Sequence, residues 1–221
     1  MGVEDHEGAA ASGRVAAPGL WRARQRSWAM RRLVVGMSGA SGAIYGIRML
    51  EVLKAEEDIE VHLVMSPSAG RTIHDETDWK VSDVEDLADV VHNYRDIGAS
   101  LSSGSYRHDG MIIAPCSVKT LSGLVNSYDD NLLVRAADVA LKEKRRVVLL
   151  VRETPLHLGH IELMARAAKI GAVVMPPVPA FYIRPKTLDD VINQSVGKSL
   201  DFFGISHTLF HRWKEDDPPE E

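Results

Sequence analysis

From Met30 onward the chain alternates short apolar runs with segments whose apolar residues recur every three or four positions. This alternation constrains the fold more than any other property of the sequence. The apolar runs are Arg32 to Gly36 (RLVVG), Glu60 to Met65 (EVHLVM), Gly110 to Ala114 (GMIIA), Arg146 to Val151 (RVVLLV) and Gly171 to Met175 (GAVVM). Each is short, bounded by breakers or charges, and rich in branched side chains, so each reads as a buried strand. Between them, Ala43 to Lys54 reads as a helix, with Ile44, Ile47, Leu50 and Leu53 at helical spacing. Pro67 to about Thr77, Ser117 to Val125, Asn131 to Lys142, Leu158 to Ala168 and Leu188 to Phe203 read likewise. Ser82 to Ser105 carries no clear period and ends in a Ser/Gly-rich loop. Strands that alternate with helices imply right-handed crossovers and a parallel sheet covered on both faces. The expected fold is α/β: a three-layer, doubly wound parallel sheet of flavodoxin or Rossmann kind. Such sheets bind ligands at the carboxyl ends of their strands, near the point where strand order reverses.

A chain of 221 residues suits one such domain, with 45% hydrophobic residues to fill its core. The net charge of −5 gives no general attraction to nucleic acid. The single cysteine, Cys116, excludes an internal disulfide and any multi-cysteine metal site. No apolar run reaches the ~18 residues that a membrane span needs, and a cytoplasmic protein is expected. Residues 1–29 are rich in Ala, Gly and Arg and lack an apolar h-region, which excludes a secretory signal. Arg14, Arg22, Arg24 and Arg26 suggest a mitochondrial presequence, against which stand Glu4, Asp5 and Glu7. The expectation is a disordered tail, or a start codon called too early with Met30 as the true start; residues 30–221 form the single domain.

Three loops follow strands and carry chemistry. The first is Gly36-Met37-Ser38-Gly39-Ala40-Ser41-Gly42. A glycine-rich turn that opens a helix lets backbone N–H groups approach a phosphate, aided by the helix dipole. The glycines are spaced three apart, unlike the dinucleotide pattern, and the second strand ends in Met65-Ser66 without the acid that a nicotinamide dinucleotide requires for its ribose. A mononucleotide is favoured, though a tight turn with no ligand satisfies the same glycines. The second loop, Pro115-Cys116-Ser117-Val118-Lys119-Thr120, places hydroxyls at a helix start, where they cap the helix or grip an anion. Cys116 reads as a small buried residue, since nothing in the sequence sets a base beside it. The third, Arg152-Glu153-Thr154-Pro155, puts an Arg-Glu pair at a strand end. Arginine suits a phosphate and glutamate suits proton transfer, while a structural ion pair remains open.

Other patterns are set aside. His157, His160 and Glu162 lack the H-E-x-x-H spacing of a zinc site. Asp129-Asp130 and Asp189-Asp190 do not form the D-D-x-x-D of metal-dependent prenyl transferases and read as acids at helix starts. On charge alone, Lys142 to Arg146 is a solvated face.

Taken together, GMSGASGAIYGIRML, APCSVKTLSG, NLLVRAADVALKEKRR, VRETPLHLGHIELM and PPVPAFYIRP closely resemble UbiX-type flavin prenyltransferases. The resemblance covers about Arg31 to Lys214. It implies an FMN-binding domain that transfers a dimethylallyl group from dimethylallyl phosphate to N5 and then C6 of reduced FMN, without a metal. The prenylated FMN then serves a UbiD-type decarboxylase. It implies that Gly39, Ala40, Ser41, Ser66, Ser117, Val118, Lys119, Thr120 and Arg152 bind the flavin. It implies that Arg135, Lys142, Tyr182 and Lys198 take the prenyl phosphate, with Ser41, Glu76, Lys142 and Glu153 at the reacting centre and Trp213 nearby. It further implies a homo-oligomer, a dodecamer in the family, with sites shared between subunits, and no partner among nucleic acids.

The chemistry fits these residue types. A departing phosphate dianion is stabilised by preorganised donors such as Lys142, Lys198 and Tyr182. Glu153 is suited to accept or relay a proton. One departure from the family is visible: where some members carry a tryptophan near the prenyl site, this chain has Gly98 to Tyr106, without one. Two alternatives stand beside this reading. A flavin-dependent decarboxylase of the cysteine-peptide type is disfavoured by Pro176 to Tyr182, which lacks that family's P-x-M-N-x-x-M-W-like stretch. A non-catalytic FMN-binding decarboxylase subunit is the other.

Overall fold

The computed structural model describes Met1, Gly2 and residues 30–214; the rest of the N-terminal tail, and the expectations attached to it, lie outside the described residues. Six parallel strands form one sheet in the order β3-β2-β1-β4-β5-β6. They are β1 (Arg31–Met37), β2 (Ile59–Met65), β3 (Val90–His92), β4 (Gly110–Cys116), β5 (Arg146–Val151) and β6 (Val173–Val174). The helices are α1 (Ala43–Lys54), α2 (Pro67–Glu76), α3 (Val81–Glu85), α4 (Val118–Val125), α5 (Leu132–Lys142), α6 (Leu158–Lys169) and α7 (Leu188–Asp201).

Two cores lie on the two faces of the sheet. Leu33, Val35 and Met37 of β1 point to the face covered by α1, α2, α3 and α7. Val34 of the same strand points to the face covered by α4, α5 and α6, as the two-residue period of a strand requires. The sheet is thus buried on both sides, which is why its strands are apolar throughout rather than alternating. Burying each such side chain contributes roughly 1.5–3 kcal/mol, and residues such as Ile47, Leu50, Ile112 and Leu149 are fully buried.

Strand order reverses between β1 and β4, which are neighbours through Leu33↔Gly110 to Gly36↔Ile113. That is the switch point at which ligand sites of doubly wound sheets form. Helix α1 presses on the end of β4 there: a Cβ at Gly46 would lie 2.3 Å from the Ala114 carbonyl oxygen.

The weakly periodic stretch after Ser82 contains α3, the three-residue edge strand β3 and a 3-10 turn at Ser100–Ser102. Propensity is a poor guide to β3, because its registry is set by β2 through His62↔Val90 to Val64↔His92 and by a 2.8 Å bond from His62 Nδ1 to His92 Nε2. Strand β4 runs two residues past the expected end at Ala114, and its pairing with β5 shifts between Ile113 and Cys116, where Pro115 has no N–H to give. Strand β6 keeps only Val173–Val174 of the five residues expected. No helix among the described residues is long and apolar enough to cross a membrane.

Candidate active site

The three loops named from the sequence meet at the carboxyl edge of the sheet. Ser38, 2% exposed, is the clasp between them. Its N–H and hydroxyl both donate to the Pro115 carbonyl (3.2 and 2.8 Å), and its Oγ accepts the Ser117 N–H at 2.7 Å. The β1 and β4 loops therefore move as one unit. Sequence reading passed over Ser38, since a lone serine in a glycine loop reveals no distant partner. Arg152 joins through its backbone N–H, which donates to the Cys116 carbonyl.

Three helix N-termini open here. Ser66 caps α2 by accepting the Ala69 N–H, and Ser117 caps α4 by accepting the Thr120 N–H. Ser117 also donates to Thr120 Oγ1 at 3.1 Å. Helix α1 has no such cap; its first residue follows Gly42, which is left-handed with φ 96°, a conformation open to glycine. Its orphan N–H groups are met instead by Glu76, whose Oε2 accepts from Gly42 (2.7 Å) and Ala43 (3.2 Å). Burial opposes the Glu76 charge, but the Ser41 hydroxyl, those two amides and the Arg152 guanidinium outweigh it and hold the carboxyl below its usual range. The carboxylate at a helix start is itself favourable. Arg152 also acts on Tyr45, whose phenol is raised by burial and drawn back by that charge.

Gly39 lies against α2, where a Cβ would stand 2.3 Å from Ser68 Cβ. Ala40 is buried, while Gly39, Ser41 and Lys119 are exposed at the rim. Glu153 is also exposed and accepts the Thr154 N–H at 3.0 Å, so it faces solvent rather than forming an ion pair with Arg152. Beside Thr120 a cavity of about 400 Å³ opens between α4 and α5, lined by Tyr94, Lys119, Thr120, Tyr128, Asn131 and Val134, within the size range of small-molecule sites. Cys116 is fully buried and its thiol is pushed up to about 12 by burial, so it is no nucleophile.

Two of the residues expected to take the prenyl phosphate, Lys142 and Lys198, lie toward the opposite edge of the sheet. Lys142 ends α5, four positions before β5 begins, and its Nζ pairs with Glu143 at 2.6 Å. Strand β5 separates it from Arg152 and Glu153, a span of about 20 Å for six residues. Lys142 and the Arg152-Glu153 loop of the same chain lie at opposite ends of β5, because a chain that enters a strand at one edge leaves it at the other. Lys198 is likewise near the amino edge. It precedes Phe202 and Phe203, whose carbonyls accept from Arg146 and Arg31 at the starts of β5 and β1. Tyr182 lies in a 3-10 turn with its ring edge-on to Trp213 at 5.7 Å. Arg135 is held by Asp129 at 2.8 Å and by the Ser102 carbonyl at 3.3 Å.

The patterns set aside behave as structural features. Asp190 closes a capping box with Thr187 at the start of α7. The His157 and His160 rings lie against each other, tilted by 32°, with 3.6 Å between centroids. Among the described residues no group of three or more His, Cys, Asp or Glu is placed to hold a metal. Tyr106 turns away from the site, its hydroxyl 3.2 Å from His62 Nε2 and its ring under Arg32.

Comparisons with known proteins agree with this layout. The Flavoprotein family model matches residues 22–198. The flavin prenyltransferase UbiX of Escherichia coli strain K12 is 63% identical over 187 residues, 84% of this chain and 99% of that protein. A crystal structure of AnUbiX in complex with FMN and dimethylallyl pyrophosphate aligns at TM-score 0.82 and 50% identity, covering 85% of this chain and 99% of that one. A dodecameric FMN-dependent UbiX-like decarboxylase from Escherichia coli O157:H7 aligns at TM-score 0.81 and 48% identity, covering 83% and 99%. A parallel sheet with its loops gathered at the β1/β4 switch point, in a sequence of this similarity, makes the chain an enzyme of the UbiX flavin prenyltransferase family.

Proposed function

We infer that this enzyme joins the dimethylallyl group of dimethylallyl phosphate to N5 and C6 of reduced FMN, and that the prenylated FMN is passed to a UbiD-type decarboxylase. The observation that carries the reading is the joining of the β1, β4 and β5 loops at one sheet edge through Ser38 and Arg152. The relatives supply the ligands: one solved UbiX carries FMN and dimethylallyl pyrophosphate. The loop chemistry fits a flavin. The amides of α1 are taken by Glu76, so the starts of α2 and α4, with Ser66 and Ser117 to Thr120, are the free anion-binding ends. Gly39 and Ala40 line the floor beside them, and Arg152 supplies a cation. Reduced FMN supplies the nucleophilic ring atoms.

The chain's own groups would then act as follows. Ser41 and Glu76 form a hydrogen-bonded pair at the rim, poised to orient a ring N–H. Glu76 stays ionised at neutral pH because its hydrogen bonds hold its carboxyl low. Glu153, exposed at the strand end, relays a proton to solvent. Lys142, Lys198, Tyr182 and Arg135 neutralise the leaving phosphate in place of a metal. Since the fold keeps Lys142 and Lys198 from the flavin loops of their own chain, these two act on a neighbour's loops in a homo-oligomer. Helix α6 favours such a neighbour: it buries only Ala167, while Leu158 and Ile161 are 69% and 52% exposed, an apolar face that suits an interface. A dodecameric relative is known among the aligned structures.

The test is anaerobic mixing of the purified protein with reduced FMN and dimethylallyl phosphate, followed by mass spectrometry of the released flavin. The expected product is FMN heavier by one prenyl group. Flavin recovered at unchanged mass, from protein shown to bind FMN, would overturn the reading.

A further inference from the structure

Residues 205–214 leave α7 and fold back along it, and two positions on α7 receive them. At Gly197 an added Cβ would meet His207 Cε1 at 2.6 Å and the Phe210 ring at 2.8 Å. Glycine in a helix interior is unfavourable by about 1 kcal/mol against alanine, so its presence here serves the seating of these two rings. His207 Nδ1 accepts the Leu209 N–H at 3.3 Å, which leaves Nε2 to donate to the Gly197 carbonyl at 2.8 Å and to Asp201 Oδ1 at 3.2 Å. One turn on, Asp201 receives both Arg212 terminal nitrogens, at 3.0 and 2.6 Å. Paired forks of this kind fix orientation as well as position. The next residue is Trp213, whose ring meets Tyr182 edge-on. Lys198 Nζ is 3.8 Å from the same carboxylate. Arg212 holds the two short bonds, which leaves Lys198 the long one and its ammonium available to a phosphate.

We propose that Asp201 is a positioning residue for the prenyl-phosphate site: it latches the C-terminal strap to α7, sets Trp213 against Tyr182, and holds Lys198 beside the pair. The two rings then form an aromatic wall for the dimethylallyl group, whose cationic character grows as phosphate leaves, and ring faces attract such charge. This wall stands in for the tryptophan that the Gly98 to Tyr106 stretch lacks. The proposal rests on the reading of Tyr182 and Lys198 as substrate residues.

The experiment uses the full-length chain with reduced FMN saturating and dimethylallyl phosphate varied. Asp201→Asn is expected to raise KM for dimethylallyl phosphate at least about fivefold with FMN affinity, read by flavin fluorescence, within about twofold of the parent. Asp201→Glu is expected to recover most of the loss. Trp213 emission, taken as the difference from a matched Trp213→Phe protein, is expected to shift to the red in Asp201→Asn. In a Trp213→Ala background, Asp201→Asn is expected to add less than about twofold, because the two act as one unit. Full additivity in that background, or an unchanged KM, would overturn the latch. If Tyr182→Phe and Lys198→Met keep the parental KM, the site reading fails instead, while the emission shift still reports on the latch by itself. Should Asp201→Asn fail to accumulate, Arg212→Lys, which keeps the charge and loses the fork, carries the same arms.

Discussion

His108 shows how one side chain sets the response of the whole fold to acid. It is 7% exposed, its Nδ1 donates to the Gly110 carbonyl, and its Nε2 has no partner among the described residues. Burial above all pushes its pKa down to about 4, with the Arg145 and His62 charges assisting against the Gly110 carbonyl and Asp109. In the unfolded chain the ring titrates near 6.5. The folded state therefore binds the proton less readily, and stability is fully present above about 6.5 and falls as pH drops toward 4. At one pKa unit per 1.36 kcal/mol, about 2 kcal/mol should be lost between neutral pH and pH 5. Urea unfolding at the two pH values measures this. His108→Phe, which does not titrate, is expected to flatten that part of the pH slope even if it lowers stability at pH 7. An unchanged slope would show that other groups dominate.

Among the elements, the approach of α2 to the β1 loop decides whether the anion-binding ends can share one ligand. Gly39 permits it, since a Cβ there would strike Ser68 at its Cβ (2.3 Å) and its carbonyl carbon (3.1 Å). Backbone, not a flexible side-chain end, is in the way, so α2 must retreat and take Ser66 and Glu76 with it. Gly39→Ala is expected to weaken FMN binding at least about tenfold, close to 1.4 kcal/mol, and to lower the melting temperature. Fluorescence titration of flavin against parent and variant decides it. Parental affinity would show that the loop adjusts without moving α2. The same loop illustrates how far spacing can be read. The glycine rhythm and the absent acid after β2 are local facts and favour a mononucleotide over a dinucleotide from the sequence alone. That the α1 amides are met by Glu76, 34 residues on, is not local and had no signal in spacing.

For the whole molecule the decisive fact is that strands have two ends. The loops proposed to hold the flavin are at one and Lys142 and Lys198 near the other, about a strand's length apart. If neighbouring copies complete each site, two defective chains should complement one another. Lys142→Ala and Glu153→Gln are each expected to be nearly inactive. Oligomers assembled from a 1:1 mixture of the two should regain about a quarter of parental turnover, since a random arrangement gives that share of sites both intact residues. Dissociation and reassembly, followed by a product assay, makes the measurement. No recovery from well-formed mixed oligomers would place both residues in one chain's site and require a rearrangement of α5.

What the sequence determined by itself was the doubly wound class, five of the six strands, most helix boundaries to within a residue or two, and the three loops that meet at the carboxyl edge of the sheet. These depend on short-range regularities: the two-residue and 3.6-residue periods, breakers, caps, and motifs contiguous along the chain. What only the tertiary structure decided was which distant residues meet. The Ser38 clasp joins positions 77 and 79 residues apart. The edge strand β3 exists because β2 and the His62–His92 bond template it. Tyr106 is held by His62 and Arg32. Resemblance of motifs assigns residues to one reaction without saying from which chain each arrives. That follows from sheet geometry, in which a parallel strand carries its two ends to opposite edges of the molecule.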